Sequence, residues 1–547
     1  MPRPSPRSMN IGPTGFEALA GRTGNARNRL KPLVPKNGRS SSGQPAGQYP
    51  RPNTHSRVVI LGMARQGLAT ARFFLKHGAR VTISDLRTAG QLAVARAELE
   101  QYAAAHAPEG ETVLRCVLGE HPMTLLDAAD LLCLSGGVSP AIPIVQEAVR
   151  RGIPLSNDGQ LTLRHCPAPI LGITGSAGKT TTTTLVGLML EAAGFTVHVG
   201  GNIGAPLLDR LESIGPGDKV VMEFSSFQLE LFDRSPAIAG LLNVTPNHLD
   251  RHPSMSHYAA AKANILRFQG PGDSCVLSAD DGYTGPWLAS GRCRIPAGAG
   301  QDAVYFPLQA ARLGFTLAGE VAAGAFLRSG TNQVSARNLV CDDVLVWRRP
   351  GLGDVEICRA AEVRLRGRHN LANILAACCL AGAAGADAEA MRQVATSFGG
   401  VEHRLEIVRQ RNGVTWVNDS IATAPERTVA ALRSFVEPVL LLAGGRDKHL
   451  PWDECAALMH QRCRRVLLFG EAAGLIAEAL ARHATEAAST PIPTTRCPDL
   501  AAAVMTAAAV AEDGDVVLLA PGGTSFDAYE DFAARGRHFR TLVEALP

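Results

Sequence analysis

The chain has 547 residues, of which 46% are hydrophobic, 19% charged and 5% aromatic. At roughly 150 residues per domain the length suggests three or four domains, and the mixture is that of a globular protein, which excludes a mostly disordered chain. The longest apolar stretch, Ile374–Gly385, covers about 12 residues, is rich in alanine and is too short to cross a bilayer.

Charge is unevenly distributed. Residues 1–57 hold ten Lys or Arg and one acid, Glu17, leaving the remainder at a net −5. A mildly acidic body gives no argument for nucleic-acid binding. The 12 cysteines include no C-x-x-C pair and read as reduced thiols of a cytoplasmic protein, not as a disulfide frame or a zinc site.

Residues 1–56 are rich in Pro, Ser, Arg, Gly and Asn without periodicity and read as a disordered basic extension. No apolar segment of signal-peptide type occurs there. The Arg- and Ser-rich opening resembles a transit peptide; a dispensable extension is the preferred reading. Order is predicted from Arg57. Val58–Gly62 is a buried strand, a helix follows over about Gly67–His77, and Arg80–Asp85 and Asp130–Gly137 are further strands, the last ending in a turn. Strands alternating with helices indicate a parallel sheet. Pro154, Pro167 and Pro169 mark 153–169 as a domain junction. A second α/β unit has strands at Pro169–Ile173, Lys219–Glu223 and Ile238–Val244. Residues 270–360 show short strand-like runs and no clear helix until Leu371. A third unit begins near Phe398, with strands at Val414–Asn418, Pro438–Ala443, Arg465–Phe469 and Asp515–Ala520. The predicted architecture is α/β with three domains, 57–164, 165–397 and 398–547, the outer two Rossmann-like and the central one of P-loop type.

The strongest motif is Gly172-Ile-Thr-Gly-Ser-Ala-Gly-Lys-Thr-Thr181, which ends an apolar strand and opens a helix predicted over Thr180–Ala193. A glycine-rich turn there lets backbone N–H groups approach phosphate, the helix N-terminus adds positive potential, and Lys179 reaches the β- and γ-phosphates. Thr180 offers a hydroxyl to Mg²⁺. Five residues separate Gly172 from Gly178, one more than in the Walker A spacing. Val220–Glu223 is an apolar strand ending in a carboxylate, which beside a P-loop can hold Mg²⁺. Asn243–Arg251 follows a third apolar strand, where ligands gather in open α/β sheets, and includes His248, a possible metal ligand or an exposed loop residue. Lys262, in a helix-like stretch, reads on composition as a solvated helix lysine. Gly62 and Gly67 follow the first strand and Asp85 ends the second. That suggests a nucleotide-shaped crevice, but the spacing is not the G-x-G-x-x-G of a dinucleotide site.

Together these residues resemble the Mur ligase family of peptidoglycan synthesis, over about residues 57–547. The five-spaced P-loop is the form in that family. Glu223-Phe-Ser-Ser-Phe-Gln-Leu-Glu230 resembles the glutamate-adding type within it. Further matches are Gly201–Gly204, Gly367–Asn373, His403–Glu406, Ser525–Phe532 and Arg535-Gly536. The resemblance implies an ATP- and Mg²⁺-dependent amide ligase. It would join D-glutamate to UDP-N-acetylmuramoyl-L-alanine through an acyl phosphate, as a cytoplasmic monomer without nucleic-acid or membrane partners. The alternatives are the same ligation with L-glutamate and a non-catalytic nucleotide-binding relative.

By the same resemblance, Lys179, Glu223, His248 and Lys262 are the catalytic set, with Lys262 carbamylated; Thr180, Glu223, His248 and the modified Lys262 hold metal. ATP would meet Gly175, Ser176, Ala177, Gly178, Lys179, Thr180, Thr181, Asn370, Asn373, Arg404 and Asp419. The UDP-substrate would meet Arg65, Gln66, Asp85, Arg87, Ser135, Gly137 and Asn202, and glutamate Thr423, Lys448, Ser525 and Phe532. Two departures stand out: Ile421 occupies a position where the family often has lysine, and Gly136 one where proline is common.

Overall fold

The computed structural model describes residues 56–547 except 109–110, 203–205, 248–250, 299–301, 331–342, 350, 352, 366 and 449. The basic extension therefore lies outside the described residues up to position 55, as does His248. Ser56 already belongs to the ordered unit, since its carbonyl accepts the Arg80 N–H at 2.8 Å.

Among the described residues the chain forms three main sheets. The first comprises β1 (Arg57–Leu61), β2 (Arg80–Asp85), β3 (Leu114–Leu118), β4 (Leu131–Leu134) and β5 (Leu155–Ser156), in the order β3-β2-β1-β4-β5. All its pairings are parallel. The helix Arg65–Lys76 returns the chain from β1 to β2 and buries Phe73, Phe74 and Leu75. The segment 153–169 is more than a junction. It supplies β5 and a helix, Asp158–His165, capped by the Asn157 side chain, which accepts from the Gln160 N–H. Pro154, Pro167 and Pro169 bracket these elements instead of interrupting them, which is where proline is tolerated.

The central unit contains β6 (Ile170–Thr174), β7 (Val197–Gly201), β8 (Lys219–Glu223), β9 (Ile238–Leu241), β10 (Ser274–Ser278), a separate antiparallel hairpin of β11 (Arg292–Ile295) and β12 (Val304–Pro307), then β13 (Ala311–Thr316), β14 (Gly324–Arg328), β15 (Val344–Arg349) and β16 (Gly353–Arg359). The main sheet runs β16-β15-β14-β13-β10-β9-β6-β8-β7. It is parallel from β7 to β14 and antiparallel at β15 and β16. One sequence expectation fails here. The region before Leu371 does contain a helix, Thr284–Ser290, ended by Gly291 at φ 69°. Pro286 sits in its first turn, where a missing N–H costs nothing.

The Ala-rich stretch becomes the core of the helix Arg368–Ala383, in which Ile374 through Ala381 are all fully buried. It packs against the P-loop helix Lys179–Ala192 on one side and the sheet on the other, so it is apolar around its circumference, as a doubly covered helix must be. No helix among the described residues is long and apolar enough to cross a membrane.

The third sheet has β17 (Glu406–Arg411), β18 (Val414–Asn418), β19 (Val439–Gly444), β20 (Cys463–Phe469), β21 (Thr494–Arg496) and β22 (Val516–Gly522), in the order β17-β18-β22-β19-β20-β21, parallel apart from β17. All described cysteines are free, most of them buried, and they act as small core residues.

The Gly62–Gly67 pair has a steric origin. A Cβ on Gly67 would sit 1.8 Å from the Gly62 carbonyl oxygen, so the strand-to-helix turn closes only with hydrogen there. Gly67→Ala is expected to destabilise the N-terminal unit by about 1–3 kcal/mol, the usual range for overpacking. Urea unfolding would read this as an earlier transition for that unit. An unchanged midpoint at unchanged slope would contradict the packing argument.

Candidate functional site

The carboxyl ends of β6, β8 and β9 lie side by side, with β6 in the middle, and the chain's densest chemistry collects there. Gly178 opens the helix Lys179–Ala192 at φ 82°. A Cβ at this position would be strained and would meet Asn373 Oδ1 at 2.2 Å. Glycine is thus required by both backbone and neighbour, and the contact places the Asn370–Asn373 turn against the P-loop. Asn373 Nδ2 in turn donates to Asn370 Oδ1 at 3.1 Å.

Two lysines converge on one carbonyl. Lys179 Nζ donates to the Gly175 oxygen at 3.1 Å, and Lys262 Nζ to the same oxygen at 2.8 Å. Lys262 lies on the helix Met255–Arg267 and is only 2% exposed, so it is not the solvated lysine that composition suggests. Burial, and behind it the positive charge of Lys179, push its ammonium well below its ordinary pKa, with Glu223 opposing. Burial likewise lowers Lys179, helped by Arg404 and Arg427.

Glu223, at the end of β8, has both oxygens occupied. Thr180 Oγ1 donates to Oε2 at 2.8 Å and Asn202 Nδ2 to Oε1 at 3.1 Å. Hydroxyl and carboxylate oxygens side by side suit a hard cation such as Mg²⁺. Asn202, expected at the UDP-substrate, is thus brought to the carboxylate. Ser176 Oγ donates to the Thr245 carbonyl and accepts the Thr245 N–H, both at 2.9 Å. Ala177 exchanges hydrogen bonds with the Asn243 side chain at 2.9 and 3.1 Å. Thr181 follows in the first turn of the helix. Asn243 and Tyr258, whose hydroxyl donates to Ser176 Oγ at 3.1 Å, are loop-fixing residues that sequence reasoning passed over. For Asn243 the signal was present, since it lies two residues past β9 in the motif containing His248.

The third unit contributes cations. Arg404 feels the charge of Glu223, and its guanidinium is pushed down first by burial. The loop that presents it is held by Asp419, whose Oδ1 accepts the Leu405 N–H at 3.0 Å. Burial raises the Asp419 carboxyl to about 6, against the opposing effects of that hydrogen bond, Arg404 and Arg427. Arg427 was not anticipated; it stands on the exposed side of its helix, and nothing in its spacing marks it.

In the first unit a cleft of about 500 Å³ is lined by Arg65, Arg72 and Arg87 beside the turn after β1. Asp85 accepts the Met63 N–H at 2.7 Å and binds Arg87 through both side-chain oxygens. Burial opposes its ionisation, but these hydrogen bonds and the Arg87 charge prevail and hold its pKa at about 2. Gln66 Oε1 accepts the Gly136 N–H at 3.1 Å, which ties the helix start to the Ser135–Gly137 turn. A Cβ on Gly62 would press on that of Ser135 at 2.8 Å, whereas Gly137 faces open space.

Of the four residues expected at glutamate, two meet: Lys448 Nζ approaches Thr423 Oγ1 at 3.4 Å. Ser525 is buried and opens a turn whose Ala528 and Tyr529 N–H groups bond its carbonyl. Phe532 stays 36% exposed and meets the His403 ring edge-on. Thr423, Ser525 and Lys448 follow β18, β22 and β19, which are neighbours in the sheet.

Known proteins resemble most of the chain. Residues 56–157 match the Mur ligase MurD-like N-terminal domain, 173–298 the Mur ligase middle domain, and 403–523 the Mur ligase glutamate ligase domain. The chain is 41% identical over 490 residues to the UDP-N-acetylmuramoylalanine--D-glutamate ligase of Symbiobacterium thermophilum, covering 90% of this chain and 98% of that protein. With the ligase of the same name from Pelotomaculum thermopropionicum it shares 36% over 494 residues, again 90% and 98% of the two chains. The crystal structure of the UDP-N-acetylmuramate-alanine ligase MurC from Thermotoga maritima superposes with a TM-score of 0.50 at 18% identity, covering 90% of this chain and all of that one; the likeness is one of fold.

The raised carboxyl of Asp419 has a consequence for stability. An unfolded aspartate ionises near 3.8, while the folded one holds its proton to about 6. Between these values the unfolded state has released a proton that the native state retains, so rising pH favours unfolding until about 6, where the effect levels off. Asp419→Asn keeps an acceptor for Leu405 and cannot ionise. Its stability relative to the unmodified protein is expected to grow from pH 4 to 6 and then hold constant, as urea midpoints of the nucleotide-free protein would show. Parallel pH curves for the two proteins would contradict it.

Proposed function

The chain belongs to the Mur ligase family, and we propose that it joins D-glutamate to UDP-N-acetylmuramoyl-L-alanine with cleavage of ATP, in the assembly of peptidoglycan precursors. The observation that carries this reading is the identity of 41% over 90% of the chain to a D-glutamate ligase. The convergence of Lys179 and Lys262 on the phosphate-loop carbonyl of Gly175 supports it.

The reaction divides into two steps. A carboxylate is a poor electrophile, so an oxygen of the alanyl carboxylate attacks the γ-phosphorus of ATP, ADP departs, and an acyl phosphate results. The uncharged amine of glutamate then adds to the acyl carbon, the tetrahedral adduct expels phosphate, and an amide remains after loss of a proton. Both steps bring anions together, and fixed cations lower that barrier. Lys179 of the central unit and Arg404 of the third supply such charge. Thr180, Glu223, His248 and a carbamylated Lys262 are the residues that would hold Mg²⁺, which shields the phosphates. The depressed pKa of Lys262 favours the modification, because the uncharged amine is the form that adds to CO₂, making an N–C bond and releasing a proton.

The three units divide the substrates. Residues 57–164 take the UDP-sugar, with Arg65 and Arg87 in the cleft for the diphosphate and Gln66, Asp85, Ser135 and Gly137 shaping its approach, joined by Asn202 of the central unit. Residues 165–397 take ATP, and 398–547 take glutamate. Lys448 and the Thr423 and Ser525 hydroxyls face a substrate bearing two carboxylates, with Phe532 at the rim.

Phosphate release by the purified protein with ATP, Mg²⁺ and UDP-N-acetylmuramoyl-L-alanine is expected to depend on D-glutamate and to yield the amide by mass. Release with L-glutamate alone would transfer the protein to an L-adding ligase, with Ile421 the first residue to revert. Lys179→Ala is expected to lower turnover about 10²–10³-fold or more while the fold persists. Lys262→Ala should be comparably impaired and partly rescued by a short carboxylic acid that restores the missing anion; full activity without added acid would overturn the carbamate assignment.

A further inference from the structure

Beside the phosphate loop lies a second cluster that the ligation does not use. Glu230 closes the short helix Ser226–Leu229, His252 precedes the helix Met255–Arg267, and His257 stands in that helix's first turn. Glu230 Oε1 is 3.2 Å from His252 Nδ1 and 3.9 Å from His257 Nδ1, and the two Nδ1 atoms are 3.1 Å apart. The point equidistant from the corners of that triangle is about 2.0 Å from each, which is the length of a zinc bond to nitrogen or carboxylate oxygen.

The surroundings fix this geometry. His252 is 1% exposed. Its ring stacks on Phe227 at 5.2 Å and 5° and leans on Tyr258. Its Nε2 lies 2.9 Å from Ser226 Oγ. In the tautomer whose Nε2–H donates to that hydroxyl, Nδ1 offers its lone pair to a cation shared with the Glu230 carboxylate. A hydrogen-bonded second nitrogen is the usual companion of a metal-bound imidazole. The Ser254 side chain accepts the His257 N–H and thereby sets where the helix begins. His257 keeps a side-chain exposure of 32%, which leaves room for water as a fourth ligand.

We propose that Glu230, His252 and His257 form a binding site for a divalent transition metal, with Zn²⁺ the best match. Two imidazoles and one carboxylate select such ions over Mg²⁺ and Ca²⁺. The ion's effect is to cross-link two segments. It joins the segment after Glu223 to the helix that carries Lys262, and through Tyr258, whose ring touches His252 and whose hydroxyl bonds Ser176, it braces the phosphate loop.

The test uses full-length protein stripped with a chelator, without nucleotide or substrate, so its outcome is independent of the glutamate assay. Titration with Co²⁺ is expected to give intense visible bands of a four-coordinate site, saturating at one ion per chain and displaced by Zn²⁺ with at least tenfold tighter binding. The bands should persist in Glu223→Gln and vanish in both His257→Ala and Glu230→Gln; the latter keeps the side chain's size should the former fold poorly. Ser226→Ala is expected to weaken binding about tenfold. Absence of the bands, their survival in His257→Ala and Glu230→Gln, or their loss only in Glu223→Gln would overturn the proposal.

Discussion

Lys179 and Lys262 donate to one carbonyl oxygen, that of Gly175, in a place where little water remains to screen them. Two ammonium groups so arranged repel each other, and burial adds the cost of removing each from solvent. The chain tolerates this because Glu223 stands across the loop, and because Lys262 gives up much of its affinity for the proton. Most of the surrounding structure maintains that unequal balance. The parallel order of β9, β6 and β8 brings the loop, the carboxylate and the following segment to the same edge. Asn243, Thr245 and Tyr258 hold the loop by hydrogen bonds, so that it cannot drift from the two lysines.

The same balance explains why a separate unit completes the site. Arg404 and Arg427 add positive charge to an already cationic centre, which is unfavourable for the empty protein and favourable once a polyphosphate is present. Asp419 reduces the cost by lying next to both arginines, although its own burial raises its carboxyl to about 6, so that this compensation fades as the pH falls below that value. The charges of the site lie on helices, a strand end and a loop of two units, Lys179, Lys262 and Glu223 on the central one and Arg404 and Arg427 on the third, so that small changes of approach between the units alter the field strongly.

Much of the site was legible in the sequence because its logic is local. A strand, a glycine-rich turn and a helix opening on Lys-Thr carry their chemistry within ten residues, and Gly178 is dictated by its own φ as much as by Asn373. Glu223 was legible for the same reason, as the end of an apolar strand. The burial of Lys262 was not, because the hydrophobic pattern of Met255–Arg267 gives a helix but does not say which face meets the loop; only the family resemblance singled that lysine out. Arg427 and the Glu230–His252–His257 cluster depend on contacts between segments that no spacing reports. Prolines misled at 153–169, since they flank elements there instead of breaking them, whereas the helix Thr284–Ser290 is only two turns long and is lost among the short strand-like runs around it.

The strand ends of the third unit show how one buried cation can fix the frame around Ile421. Arg535 is fully buried, and its guanidinium donates to Ser420 Oγ at 3.0 Å, to the Ser420 carbonyl at 2.9 Å and to the Gly523 carbonyl at 3.2 Å. Burial pulls its pKa down to about 10, so it remains cationic at neutral pH. It thereby joins the loop after β18 to the end of β22, and the Ile421 N–H is fixed in turn by the His403 carbonyl. With an uncharged side chain at Ile421, the backbone that presents Thr423 is still tied at two points, at Ser420 and at Ile421. Lys448, reaching across from the end of β19 to the Thr423 hydroxyl, adds an exposed cation beside a loop whose backbone is already fixed from two directions, so charge and position there are set by different strands.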